Sequence, residues 1–245
     1  MHFLIIGYGS MGQRHAKNLR LLMPQADIKI YDPMIPGTIL TSADAVIIAS
    51  PAETHTQYMQ WCSDRDVVMP FLVEKPLGIS SIPYYYAPEC AVGFNYRFHR
   101  QWDDIKQLAQ NGVLRFYARE KLYTRYGATV GWTTVSHALD MALQLLGPAR
   151  DSRVHLRSDG IRLVGTIDHV AGGLSRYDYD IDASMKKVTV SNEKNTLLIE
   201  RDDECYVDEM QAWLTTLITG HRDIHLATLD DGEAVEQCLE MFHVW

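Results

Sequence analysis

The chain has 245 residues, 47% of them apolar and 22% charged, with a net charge of -8 at pH 7. That size supports one large or two smaller domains, each with its own core, in an ordinary soluble globular protein. The acidic balance excludes a general nucleic-acid binder, which needs a basic face, but leaves room for anionic small molecules at a local positive site.

Four cysteines, Cys62, Cys90, Cys205 and Cys238, are widely spaced and form no CxxC pair. They argue against a zinc ribbon or a disulfide framework and for reduced thiols in a cytoplasmic protein. The apolar run Phe3 to Ile6 is too short for a signal-peptide core, and no stretch approaches the ~20 apolar residues of a membrane span. No membrane partner is expected.

Phe3 to Ile6 is a continuous apolar run, as in a central parallel strand buried on both faces. "GYGSMGQRH" follows, and then Met11, Ala16, Leu19 and Leu22 recur at near-helical spacing until Pro24. A second strand, Ile28 to Tyr31, ends on Asp32. This order of strand, GxGxxG, helix and strand suits a dinucleotide. Gly7 allows the tight turn, Gly9 lets the backbone approach a pyrophosphate, and Gly12 lets the helix pack close to the strand. The N–H groups at the helix start, around Ser10 and Met11, face the phosphate charge. Asp32, 20 residues after Gly12, would accept hydrogen bonds from ribose hydroxyls and repel a 2′-phosphate, favouring NAD over NADP.

Asp44 to Ala49 reads as the next strand, ending in Ser50-Pro51, with a helix from Glu53 to about Asp64. Val67 to Val73 runs into Glu74-Lys75-Pro76-Leu77-Gly78, and Ala91 to Tyr96 is one more strand. Strands alternating with helices predict a parallel sheet with its ligand at the carboxyl ends, where Ser50, Pro51 and Lys75 fall. Only 11 residues separate Asp32 from Asp44, little room for a helix and a strand. The segment from Leu77 to Cys90 holds two prolines and no clear helical pattern.

Past Arg97 the pattern changes. Helices are expected over Trp102 to Gln110 and Val135 to Leu146, with a strand from Leu114 to Leu122 before the second. Five short runs follow: Arg153 to Arg157, Ile161 to Asp168, Leu174 to Asp182, Lys187 to Ser191 and Thr196 to Arg201. The turn residues between them predict an antiparallel meander. Helices over Tyr206 to Thr219 and Asp231 to Phe242 finish the chain. The fold class is α/β plus α+β: a Rossmann dinucleotide-binding domain over 1–95, then an α+β domain with an open antiparallel sheet over 96–245.

Together, "GYGSMGQRHAKNL", "DAVIIASPAETH", "VEKPLG", "VGFNYRF" and "SHALDMALQLLG" resemble the Gfo/Idh/MocA family of NAD(P)-dependent oxidoreductases, over most of the chain and in the family's order. The opening with Gln13-Arg14-His15 is similar to members of surface-polysaccharide and sugar-nucleotide pathways. The resemblance implies a dinucleotide site of Gly7, Gly9, Ser10, Met11, Gly12, Asp32, Ser50, Pro51, His55, Glu74 and Lys75. It places Lys75 beside the nicotinamide and the reacting carbon as the catalytic base, with His137 as a second catalytic residue and Asp140 at an acidic position one turn later. Asn95, Arg97 and Thr133 join Lys75 and His137 as candidate substrate ligands. A lysine with a lowered pKa can take a hydroxyl proton near neutral pH, and a histidine can relay it. The implied substrate is a sugar, sugar nucleotide or polyol, and the implied assembly is a homodimer or homotetramer through the C-terminal sheet.

The family usually carries an Asp three or four residues before the histidine, where this chain has Thr134 and Thr133. A dinucleotide-binding sensor or partner subunit without turnover is therefore the alternative from another class. A reductase similar to the biliverdin reductases is a third reading, weakened by the intact E-K-P. Metal is not expected: "GHRDIH", with His221, Asp223 and His225, reads as a loop without a distant fourth ligand.

Overall fold

The structure, a computed structural model, describes residues 1–64, 68–78, 86–121, 130–156, 162–180, 182–200 and 202–242. Side chains of 119–121, 130–134, 151–156, 162–163, 180, 182–187 and 241–242 lie outside that description as well. Contacts divide the chain into two units, residues 1–98 with 203–233 and residues 99–202 with 234–245.

Short apolar runs build the first unit's sheet. Strands β1 (His2–Ile6), β2 (Asp27–Tyr31), β3 (Ala45–Ile48), β4 (Phe71–Glu74) and β5 (Ala91–Gly93) are all parallel, in the order β2-β1-β3-β4-β5. Every residue of β3, β4 and β5 is buried, because helices cover both faces. Helix α1 (Ser10–Leu22) contributes Ala16 and Leu19 to a cluster with Phe3, Ile5, Ile47 and Leu72. Helix α2 (His55–Ser63) packs against β3 and β4.

Among the described residues β2 pairs with β1 alone, so β2 is an edge of the sheet. Residues 33–44 form no helix or strand, as their number predicts. They turn back through Thr38, whose hydroxyl donates to the Asp32 carbonyl at 2.8 Å.

The sequence reading put everything after residue 95 in the second domain, but residues 203–233 pack with the first unit. Helix α5 (Cys205–Thr219), which follows α3 (Trp102–Ala109) and α4 (Val130–Leu146) of the second unit, is the reason. Its Met210, Trp213 and Leu214 complete the cluster around Phe3 and Leu19. Trp213 is fully buried, its indole N–H donating to the Glu89 carbonyl at 3.0 Å.

In the second unit, β6 (Val113–Lys121), β7 (Ala149–Leu156), β8 (Arg162–His169), β9 (Leu174–Asp180), β10 (Asp182–Ser191) and β11 (Thr196–Ile199) form a sheet ordered β11-β10-β6-β9-β8-β7. The expected antiparallel sheet is corrected here. β6 lies between β9 and β10 and runs parallel to β9, Phe116 opposite Tyr177. Parallel neighbours need a long crossover, and α4 (Val130–Leu146) with the β7-β8 hairpin supplies it. Helices α3 (Trp102–Ala109) and α4 cover one sheet face. Under that cover the His169 ring spans the Gly147 carbonyl (2.6 Å) and the Ser175 hydroxyl (2.9 Å), which meets Tyr177 Oη at 2.9 Å. One proton order satisfies all three: Tyr177 donates to Ser175, Ser175 to His169, and His169 to the carbonyl. The last helix is α6 (Leu229–Phe242).

Candidate functional site

Chain order β1, β2, β3 against spatial order β2-β1-β3 puts a topological switch between β1 and β3, where open α/β sheets form their ligand crevice. The two loops leaving these strands touch. Gly7 sits at φ +87°, and a Cβ there would lie 2.6 Å from Ser50 Cα. A Cβ on Gly12 would lie 2.0 Å from the Gly7 carbonyl oxygen. These two glycines answer to the protein's own packing.

Gly9 is different. It has an extended backbone (φ -70°, ψ -160°), and a Cβ on it would meet nothing within 4 Å. Nothing in the described chain demands glycine there; open space is left for a ligand. Gly9 is also the N-cap of α1 and offers no side-chain cap, so the first-turn N–H groups after it have no helical acceptor. The first helical bond there runs from Gln13 N to Gly9 O at 3.0 Å. An uncapped helix start carrying about half a positive charge suits a pyrophosphate.

Asp32 ends β2 beside this loop. Oδ2 accepts the Tyr8 N–H at 2.7 Å, and Oδ1 accepts the Met34 N–H at 2.9 Å. A carboxylate has about four acceptor positions. Each oxygen therefore keeps capacity for a ribose hydroxyl while the carboxylate anchors the glycine loop.

The loops after β3 and β4 are tied together. The His55 ring lies 2.8 Å from the Ser50 carbonyl through Nε2 and 2.9 Å from the Pro76 carbonyl through Nδ1. Burial lowers its pKa from the ordinary 6.5, against the raising effects of those carbonyls and of Glu74 and Glu53. Gly78 follows the cis Lys75-Pro76 bond at φ +81°, where a Cβ would lie 2.4 Å from the Ala52 carbonyl oxygen. Thr54 donates its hydroxyl to Ser50 Oγ at 2.7 Å. The predicted Ser50, Pro51, His55, Glu74 and Lys75 thus share one wall of the first unit.

Sequence reasoning gave no role to His15, and the structure supplies one. His15 is buried on α1, and its Nε2 lies 2.7 Å from Glu74 Oε1, also buried. Burial alone would raise the Glu74 pKa, but the His15 hydrogen bond and charge, with Lys75 and His55, hold it below the ordinary value. Glu74 is therefore ionised at neutral pH. The sequence clue was a polar residue at a core position, since Gly12, His15, Ala16 and Leu19 share the buried stripe of α1.

Asn95 and Arg97 occupy a short helical turn, Asn95–Phe98, where the sequence suggested a continued strand. Both are buried: Asn95 Nδ2 faces Cys205 Sγ at 2.8 Å, and Arg97 pairs with Asp231 at 3.2 Å. In the second unit, His137 and Asp140 are buried one turn apart on α4. The side chains of Thr133 and Thr134 lie outside the described residues. In "GHRDIH", Asp223 accepts the His225 N–H, and the His225 ring sits edge-on to Phe98. Among the described residues no three His, Cys, Asp or Glu side chains form a group able to hold a metal, and no helix is long and apolar enough to cross a membrane.

No family model and no curated protein matches the chain by sequence. Solved structures do match. UDP-N-acetylglucosamine 3-dehydrogenase GnnA from Acidithiobacillus ferrooxidans is 15% identical with a TM-score of 0.75, over 100% of this chain and 97% of that one. A myo-inositol dehydrogenase from Corynebacterium glutamicum is 18% identical, TM-score 0.72, over 99% and 96%. The chain has the fold of these dehydrogenases. The WlbA (WbpB) dehydrogenase from Thermus thermophilus, solved in complex with NAD and UDP-GlcNAcA, is 16% identical, TM-score 0.71, over 96% and 92%. The architecture of this chain is a Rossmann-type parallel sheet with a second α+β unit.

Proposed function

We propose that the chain is an NAD-dependent oxidoreductase of the Gfo/Idh/MocA type, moving a hydride between nicotinamide and a hydroxyl or keto carbon. The observation that carries this reading is the open space at Gly9, set at the uncapped start of α1 beside the Asp32 carboxylate. Gly7, Gly9 and Gly12 shape the loop, the N–H groups of Ser10 and Met11 meet the pyrophosphate, and Asp32 takes the ribose hydroxyls. Ser50, Pro51, His55 and Glu74 form the wall toward the nicotinamide. A 2′-phosphate would meet the Asp32 charge, so NAD is preferred over NADP. When bound, NAD supplies the hydride acceptor.

Lys75 takes the hydroxyl proton as the substrate carbon is oxidised, and returns it in the reverse direction. His137 is the candidate second proton carrier. With Asn95, Arg97 and Thr133 these residues are the proposed substrate contacts. The substrate class, a sugar, sugar nucleotide or polyol, is supported by structural neighbours named for myo-inositol and UDP-N-acetylglucosamine. The chain is proposed to work in the cytoplasm as a homodimer or homotetramer. The second unit's sheet face bearing Arg115, Tyr117, Arg176 and Asp178 would be the interface, and light scattering tests it.

The test of activity is NADH formation from NAD across a panel of sugar nucleotides, sugars and inositols. Activity is expected for at least one compound and lost in Lys75→Ala even at saturating NAD. Activity that survives Lys75→Ala contradicts the assigned base. NADH binding without turnover across the panel favours the sensor reading instead.

A further inference from the structure

We propose that His15 and Glu74 form a positioning pair that ties Lys75 to the cofactor helix and sets its proton affinity. The inference rests on the reading of Lys75 as the proton-transfer group.

Glu74 is the last residue of β4 and Lys75 the next in the chain, so an anchor on Glu74 fixes where the lysine leaves the sheet. The anchor is a 2.7 Å contact to His15 on α1, the helix whose N-terminus is assigned to the pyrophosphate. On the neighbouring strand, Gly93 of β5 stands opposite Glu74 in the sheet register, and a Cβ there would lie in ordinary contact with Glu74 Cδ, at 3.5 Å. The carboxylate thus lies against both α1 and β5. One buried contact joins the parts that hold the cofactor to the residue that handles the substrate proton.

The charge has a second consequence. A buried carboxylate beside Lys75 favours the ammonium form, and the coupling is mutual, since Lys75 helps hold Glu74 ionised. Among the described residues, the other titratable groups facing Glu74 are His15 from α1, His55 from α2 and Tyr206 from α5. His15 draws on the same carboxylate and so limits how strongly it acts on Lys75. Removing the carboxylate and removing the imidazole should therefore move the lysine in opposite directions.

The experiment needs no substrate. The full chain is reductively methylated with 13C-formaldehyde, and the dimethyl-lysine resonances are titrated by NMR. The Lys75 signal is assigned from its loss in Lys75→Arg. In Glu74→Gln its midpoint should fall by about half a unit or more. In His15→Leu it should rise. No shift in folded Glu74→Gln, or a shift of the same sign in Glu74→Gln and His15→Leu, overturns the proposal. If Glu74→Gln does not fold, the rise in His15→Leu decides alone, and its absence overturns the proposal. NADH binding by the same wild-type sample is measured separately, so loss of the cofactor reading is distinguishable from loss of the pair.

Discussion

Alanine at Gly9 and at Gly12 should separate what the loop does for itself from what it does for a ligand. At Gly12 the new Cβ would stand 2.0 Å from the Gly7 carbonyl oxygen, whereas ordinary contact begins at 3.4 Å. Helix α1 must retreat from β1 by about 1.4 Å to relieve it, a strain of the kind that costs ~1–3 kcal/mol in a packed core. Alanine returns up to ~1 kcal/mol through helix propensity. A net loss of about 1 kcal/mol lowers the melting temperature by roughly 2–4 °C for a chain of this size. At Gly9 the Cβ meets nothing and the backbone is extended, so Gly9→Ala should melt at or slightly above wild type. Yet it should lose at least tenfold in NADH affinity, or ~1.4 kcal/mol, because the methyl fills the approach to the pyrophosphate. Melting by circular dichroism and NADH fluorescence titration on both variants are the assays. Wild-type NADH affinity in Gly9→Ala would refute the phosphate cradle, and an unchanged melting point in Gly12→Ala would refute the helix-strand contact.

Stability should fall on the acid side. His55 and His169 have folded pKa values below the ordinary 6.5, so the unfolded chain takes up their protons first and stability drops as pH falls through and below 6.5. Glu74, lowered from 4.5, contributes stability that is complete above that value and lost as pH falls toward its folded pKa. A melting temperature unchanged between pH 7 and 5 would contradict the histidine claim, and one unchanged between pH 5 and 3 the Glu74 claim. All four thiols are buried, and burial pushes Cys90 up to about 12 and Cys238 up to about 11, so Ellman's reagent at pH 8 should react slowly until urea unfolds the chain. Arg222 donates to the carbonyls of Pro88, Cys90, Leu226 and Ala227. Arg222→Ala should cost about 2–3 kcal/mol in urea unfolding, and a loss below ~0.5 kcal/mol would show those carbonyls to be solvated without it.

The first half of the chain was readable because its signals are local. Continuous apolar runs, glycines at fixed offsets and an acid at the end of β2 each speak within a few residues, and the missing strand showed as a short count between Asp32 and Asp44. The second unit's strands were also visible one by one. Their order was not: the parallel pairing of β6 with β9 depends on how the chain crosses through α4 and β7-β8, and no local pattern encodes that crossover. The amphipathic stripe of α5 announced a helix but not its partner, which lies in β1 and α1 nearly two hundred residues earlier. The same limit hid the His15–Glu74 contact. Each residue stood in a quoted motif, but a hydrogen bond across 59 positions is a property of the packed sheet.

The most direct measurement is a fluorescence titration with NADH and NADPH of wild type and Asp32→Ala. Saturable NADH binding is expected, with weaker NADPH binding and a narrowed difference once the Asp32 carboxylate is gone. Absence of binding to either dinucleotide would leave the loop from Gly7 to Gly12 as a turn between a strand and a helix, and the oxidoreductase assignment would fall with it.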